Sequence, residues 1–591
     1  MSRSADTVQH APDDPATLAG AGGVRISGWQ AACLFGLLTV VLTWPQAWKP
    51  LHVPDHFDTY FSMWRLAWIA HQLPRDPAHL FDANVFHPLR HTLAFSDAVL
   101  LQGLAGAPLI GAGVPVVLVY NLQILGTFVL VGLGMFLLVR DLTRSAPAGL
   151  IAGTIVAFAP FRFDHYVHLE LLSAQWMPFA LWKIHATLRT GRLRDGAWAG
   201  VFGALQGLSS VYFTVFFATI LAALVPLLWL GSDPARRRRA AIALGIGGAL
   251  AALVVLPYTL PYRAAREIVG ERAGESALVA YAAGPKHYLA AMPGSVLYGR
   301  LTSDLGVHEK RLFPGFAAML LVLVGVWPPI DRTRAAYALA AAMAVDISFG
   351  HRGVLLEPLH ANLEVYRGLR VVARMGGLAL LFGAVLAGFG AARLAARLPR
   401  LGPRIALPGA IGLVMLVEYL TYPMALVPVE TRPADVYRWL ATQPPGVVAE
   451  FPMPVREPVD LVRFESRFSY NSTFHWRPLL NGYSGFWPAS YIETVRAVGG
   501  FPDEASVAAL RARGVAYAMV HERFYGREPY RRITGALDAR GDLIAYGPFA
   551  DGPFRVRAYR LLRADRPPDP AARDRPGAEL VAAWTPSPRT K

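Results

Sequence analysis

Apolar residues fall in long runs, and these runs, not a polar–apolar alternation, dominate the first 430 positions. A membrane-spanning helix needs roughly 20 apolar residues. Stretches near that size lie at about 28–46, 115–139, 146–161, 171–188, 196–210, 212–230, 240–258, 314–330, 335–349, 375–391 and 405–427, so the pattern predicts about eleven transmembrane helices. Arginines gather where runs end: Arg140 and Arg144; Arg189, Arg192 and Arg194; Arg236 to Arg239; Arg332 and Arg334; Arg393, Arg397, Arg400 and Arg404. Basic residues favour the cytoplasmic side. One orientation places all these turns inside, provided that 96–113, apolar but short, does not cross. The N-terminus is then cytoplasmic, the C-terminus outside, and the loops 47–113, 162–170, 259–313 and 350–374 face outward.

Beyond residue 430 the pattern changes. Val447–Pro452, Val515–Val520 and Arg555–Leu562 read as strands, and Tyr437–Thr442 and Ala505–Arg513 as helix, which predicts a small α/β domain over 430–565 on the outer side. Residues 1–27 and 566–591 have the composition of disordered tails, the second rich in Pro, Arg and Asp. Ser27–Trp44 reads as an uncleaved anchor, because no charged segment leads directly into it. The fold class is therefore a polytopic α-helical membrane protein with a small C-terminal α/β extracytoplasmic domain, 28–429 forming the membrane part.

Composition narrows the function. Charged residues make up 17% of the chain, against roughly 25% in soluble domains. The net charge of +16 would suggest nucleic acid in a soluble protein; here topology-setting arginines account for it, and no nucleic-acid partner is expected. The single cysteine, Cys33, excludes an internal disulfide and a cysteine zinc site. G-x-x-x-x-G-K-[ST], H-E-x-x-H and G-x-S-x-G are all absent, which argues against an ATP-driven pump.

The unusual polar residues sit in the outer loops. Phe57, Phe61, Trp64, Trp68 and Leu73 follow a helical period, with Asp58, Arg65 and His71 opposite, as in an amphipathic helix lying in the interface. Asp58 occupies its first turn, where the helix dipole favours a carboxylate, so it is either a capping residue or a base beside the membrane. The second outer loop packs Arg162, Asp164, His165, His168 and Glu170 into nine residues. His165 and His168 share a helix face and could hold a divalent metal with Asp164 or Glu170; the alternative is ordinary interfacial polarity. Arg162 could pair with a phosphate. Later loops bring Lys286-His287-Tyr288 and His308-Glu309-Lys310-Arg311. Arg370 and Arg374, one helical turn apart at an outer entrance, suit a phosphate head group or snorkel to the interface.

This layout resembles the GT-C superfamily of membrane glycosyltransferases over roughly residues 28–430. The resemblance is carried by Asp58 to Trp64, Leu80 to Pro88, Ser96-Asp97, Phe161-Arg162-Phe163 with His165 and His168, Leu312 to Gly315, His475 to Pro478 and Asn481 to Gly485. It implies inverting transfer of a sugar from a polyprenyl-phosphate carrier to a glycan or lipid acceptor, on the outer face of the bacterial cytoplasmic membrane. Asp58 would be the general base. Arg162, Arg370 and Arg374, with Asp97 and Glu309, would bind substrate and lipid phosphate, and His165, His168 and Glu170 a divalent ion such as Mg²⁺ or Mn²⁺. Histidines stand where many members carry a second acidic residue in the second outer loop. A transporter or flippase would instead need ionisable groups near the bilayer midplane, where few occur; Glu418 and Asp346 are the main candidates, and both fall near span ends. A non-catalytic assembly factor would use the aromatic run Tyr470–Trp487 for partner contact.

Overall fold

The computed structural model describes residues 25–270, 275–398, 401–453 and 458–562. The two expected tails fall outside them, except for residues 25–27. A helix lies on each of the eleven apolar stretches. Five are long and apolar enough to cross a membrane by length and composition: Val116–Thr143, Ala146–Asp164, Val211–Leu230, Pro234–Val269 and Val372–Ala396. Four shorter apolar helices, Gly28–Leu42, Leu100–Gly111, Phe316–Val326 and Ala406–Glu418, accompany them. Pro234–Val269 shows what surrounds these helices. Most of its apolar side chains stay outside the protein core, with Leu253 at 72% exposure, an arrangement that fits lipid and not water. The chain is a helical membrane protein.

Backbones approach closely where side chains vanish. The Leu193–Ser209 helix crosses Pro234–Val269 at Gly196 and Gly200, and a Cβ on Gly200 would come within 2.1 Å of the Gly247 carbonyl. This is the small-residue crossing that lets membrane helices gain dispersion contacts without a hydrophobic driving force.

The Phe57–Gln72 helix departs from expectation. Its period is helical, but every residue from Thr59 to Ile69 is buried, including Arg65 at 1% exposure. It is packed within protein. The helices Leu100–Gly111 and Val116–Thr143 cover it from one direction and Pro458–Asn471 from another. Its polar face is thereby turned into protein.

A short antiparallel ladder ties the two ends of the helical part together: β1 (His52–Pro54) pairs with β2 (Leu426–Pro428). Beyond it, β3 (Val447–Phe451), β4 (Val515–His521), β5 (Leu543–Asp551) and β6 (Phe554–Leu561) form one sheet in the order β3-β4-β6-β5. The β3–β4 pair is parallel and the others antiparallel. β5 has no counterpart among the strands expected from the sequence. Gly547-Pro548 interrupts its alternation and shifts its register, and the chain reverses into β6 at Gly552, which has positive φ. One face of the sheet has its own core, built on Val520, Leu510 and Leu537. The other shares a core with the 57–95 segment, joining Tyr517, Met519 and Tyr483 to Trp64, Trp68 and Phe86.

Candidate active site

The shared core brings a loop of the C-terminal part onto Asp58. The Leu479–Tyr483 segment is zipped to residues 84–87: Leu479 N–H donates to Asn84 O, His87 N–H to Leu479 O and Phe86 N–H to Asn481 O, at 2.8–2.9 Å. Gly482 is required there, because a Cβ would meet the Phe86 ring at 2.6 Å. Below the loop, Asn481 Nδ2 and Gly482 N–H donate to Glu465, as does the Tyr491 hydroxyl at 2.6 Å. The loop so held delivers the Tyr483 hydroxyl to Asp58 Oδ1, donating at 2.8 Å.

Asp58 is not the cap of its helix. His56 is the N-cap, its Nδ1 accepting from the Asp58 N–H. The Asp58 carboxylate faces inward, with Oδ2 at 3.1 Å from His168 Nε2 and 3.6 Å from His56 Nδ1. Burial by itself would raise its pKa, but the hydrogen bond and charge of His168, with His56 and Tyr483, hold it down at about 2. The same contact raises His168, against the lowering effect of burial. Burial dominates at His56, which falls to about 4. Asp58 is therefore ionised at any physiological pH.

Beside this pair lies a three-histidine cluster. His165, His168 and His308 each offer a ring nitrogen, all within 4.8 Å of one another. Two imidazoles bound at 2.0–2.1 Å to one tetrahedral ion have nitrogens about 3.3 Å apart, and His165 Nδ1 and His168 Nδ1 are 3.4 Å apart. Two of the three far nitrogens are engaged as a metal ligand's usually are: His168 Nε2 on Asp58, and His308 Nε2 on the Asp164 carbonyl at 2.9 Å, while among the described residues the buried His165 Nε2 has no hydrogen-bond partner. Burial pushes His165 well below its usual range, keeping it neutral as ligation requires. The residues fit a divalent ion. An all-imidazole set suits a borderline ion such as Zn²⁺, whereas Mg²⁺ and Mn²⁺ favour oxygen ligands, which moves the expected metal away from those two.

Several expected site residues are placed elsewhere. Glu170 is not in the histidine cluster: it is paired at 3.0 Å with Arg65, whose guanidinium also donates to the Asp97 carbonyl. The third position is filled by His308. Asp97 does not face a phosphate; its carboxylate accepts from Val211 N–H at 2.7 Å, and burial and Glu170 push it up to about 7. Arg162 is a packing residue, 3% exposed, donating to Leu172 O and Thr127 Oγ1 and lying on the Phe128 ring. Arg374 and Glu309 satisfy each other through a two-pronged ion pair, so neither stands ready for a phosphate. Arg374 holds Glu309 well below the usual carboxylate range against the effect of burial, with a smaller contribution from His165 and His168. Arg370 differs: its guanidinium lies over the rings of Phe486, at 4.7 Å, and Tyr281, and among the described residues no carboxylate pairs with it. Phe486 belongs to the same loop as Tyr483.

The model of a domain family of unknown function, DUF6311, matches residues 64–351. No curated protein matches by sequence. Among solved structures, the apo oligosaccharyltransferase of Archaeoglobus fulgidus is similar over 91% of this chain and 75% of its own, at 13% identity and a TM-score of 0.50. The arabinofuranosyltransferase AftD from Mycobacteria is similar over 92% of this chain at 16% identity and a TM-score of 0.51; this chain spans 42% of that protein. The fold of this chain is similar to that of these two glycosyltransferases.

Proposed function

We propose that this protein is a membrane glycosyltransferase that moves a sugar from a polyprenyl-phosphate carrier to an acceptor hydroxyl on the outer face of the bacterial cytoplasmic membrane. The observation that carries this reading is Asp58: a carboxylate kept ionised by His168, with His56 and Tyr483, beside three histidines whose ring nitrogens lie close enough to hold a cation. An inverting transfer needs such a group. The acceptor oxygen attacks the anomeric carbon, the bond from that carbon to the phosphate oxygen breaks, and the acceptor proton passes to Asp58 while the phosphate leaves with the electron pair. Arg370, stacked on Phe486, supplies a guanidinium to the carrier phosphate. His165, His168 and His308 would hold a divalent ion, whose chemistry is to offset charge on the departing phosphate.

The groups a transporter would use are already engaged. Glu418 accepts from Phe316 and Ala317 N–H at a helix start and from the Tyr298 hydroxyl. Asp346 accepts from Val354 and Leu355 N–H. Both are structural caps. The test is a transfer assay with purified protein, a polyprenyl-phosphate sugar and membrane-extracted acceptors. Asp58→Asn should lose turnover by at least about a thousandfold, within the range set by general-base catalysis together with charge stabilisation, while inserting normally. Turnover near the wild-type rate in that variant would refute the assignment.

A further inference from the structure

Away from Asp58, a cavity of about 370 Å³ opens beneath the sheet, on the far face of the Phe57–Gln72 helix. Its volume is within the roughly 300–1,000 Å³ of small-ligand sites. Its position has a topological reason. β3 and β4 are parallel, and the chain leaves their carboxyl ends in opposite directions: from β3 toward Leu479, which bridges the outer side of β3, and from β4 toward β5 and β6. In open α/β sheets ligands bind in the crevice outside such a divergence. His521, the last residue of β4, lines the cavity, fixed from behind by the buried Glu450 at the end of β3.

The lining selects a ligand class. Two arginines face the cavity, but each is neutralised: Arg467 by Asp55 at 2.9 Å, and Arg523 by Asp551 at 2.9 Å with Glu430 at 3.3 Å. Two guanidinium groups against three carboxylates leave no excess positive charge to hold a phosphate. What remains is a set of fixed donors and acceptors between aromatic rings: Tyr60, which lies under the Arg467 guanidinium, with Tyr437 and Tyr470. Asn471 Nδ2 donates to the Tyr437 hydroxyl, which leaves its carbonyl oxygen as an acceptor. Among the described residues no protein group hydrogen-bonds the Tyr60 hydroxyl. Ring faces for C–H groups and paired planar groups for hydroxyls are the requirements of a neutral sugar ring. An acyl chain would leave the ion pairs and the Tyr60 hydroxyl unmatched.

We propose that this cavity is a binding site for a neutral saccharide, separate from the Asp58 centre. The ligand class is argued from the cavity alone; that the bound saccharide belongs to the acceptor rests on the transferase reading above. The test uses the full-length protein in detergent micelles and saturation-transfer NMR with lactose, maltose and trehalose as probes, and inorganic phosphate as a competitor. Ala434→Trp fills the cavity from a half-buried position that makes no side-chain hydrogen bond, and Asn471→Leu removes a polar wall at similar volume. Wild type and Asp58→Asn should transfer saturation to at least one of the three sugars, at least tenfold more strongly than either cavity variant, and phosphate should not compete. No transfer to any of the three, transfer undiminished in both cavity variants, or displacement by phosphate would overturn the proposal. Binding lost in Asp58→Asn would also overturn it, by merging this site with the reaction centre. Binding kept in a variant that has lost turnover separates the two readings, and turnover kept in Asp58→Asn would sink only the base.

Discussion

At the scale of single residues, the site depends on which partner each ionisable group finds. Asp58 and the pair His165–His168 stand out in the sequence because charged groups are scarce among so many apolar positions. Their partners are not visible there: His308 and Tyr483 come from distant segments, and helical spacing carries no information about them. The same limit misplaces Glu170 and Arg162. Both sit within a few residues of the histidines, but the chain turns them toward Arg65 and Thr127. On the proposed reading Tyr483 is a positioning residue, and its effect can be separated from a structural one. Its hydrogen bond to a carboxylate is worth about 1.5–3 kcal/mol and lowers the pKa of Asp58. Tyr483→Phe should lower kcat by roughly 10- to 100-fold with KM within about twofold, and should move the acid limb of the pH–rate profile upward. An unshifted limb would mean that the hydroxyl does not act through Asp58.

At the scale of elements, the helices were legible because each is a long apolar run, β3 and β4 because each is a short valine-containing apolar run, and β6 because its arginines are interleaved with apolar residues. β5 was not, since Gly547-Pro548 breaks its pattern. The Phe57–Gln72 helix has the expected period, but the period alone could not tell an interfacial helix from one buried on both faces. The loop 479–483 depends on Glu465 in the Pro458–Asn471 helix. Burial pushes Glu465 up to about 8, against the hydrogen bonds from Tyr491, Asn481 and Gly482. A carboxyl whose folded pKa is raised contributes stability that is present below its unfolded value of about 4.3 and lost as pH rises through about 8. Thermal unfolding of wild type in detergent should therefore occur at progressively lower temperature between pH 5 and about 8.5. The difference between wild type and Glu465→Gln should follow the same course; a difference independent of pH would show that Glu465 is already ionised.

At the scale of the molecule, the helical part and one face of the sheet share an interior. Trp64, Trp68 and Phe86 are covered by Tyr483, Tyr517 and Met519. A chain ending at Pro428 would expose these rings, and burial of one large side chain is worth about 1.5–3 kcal/mol. Such a chain should be recovered in much lower monodisperse yield than the whole protein. An equal yield, with unshifted tryptophan emission, would show that the helical part folds alone.

The Tyr483–Asp58 contact joins residues 425 positions apart, and this separation acts as a delay during synthesis. At the roughly 5–20 residues per second of a ribosome, about 20–85 seconds pass between the emergence of Asp58 and that of Tyr483. Throughout that interval the carboxylate has left the ribosome without the hydroxyl that holds it in place, and a chain released early cannot acquire it. On the proposed reading, completion of the reaction centre is thereby tied to synthesis of the chain as far as Tyr483, and an interrupted translation product leaves in the membrane an Asp58 without that hydroxyl.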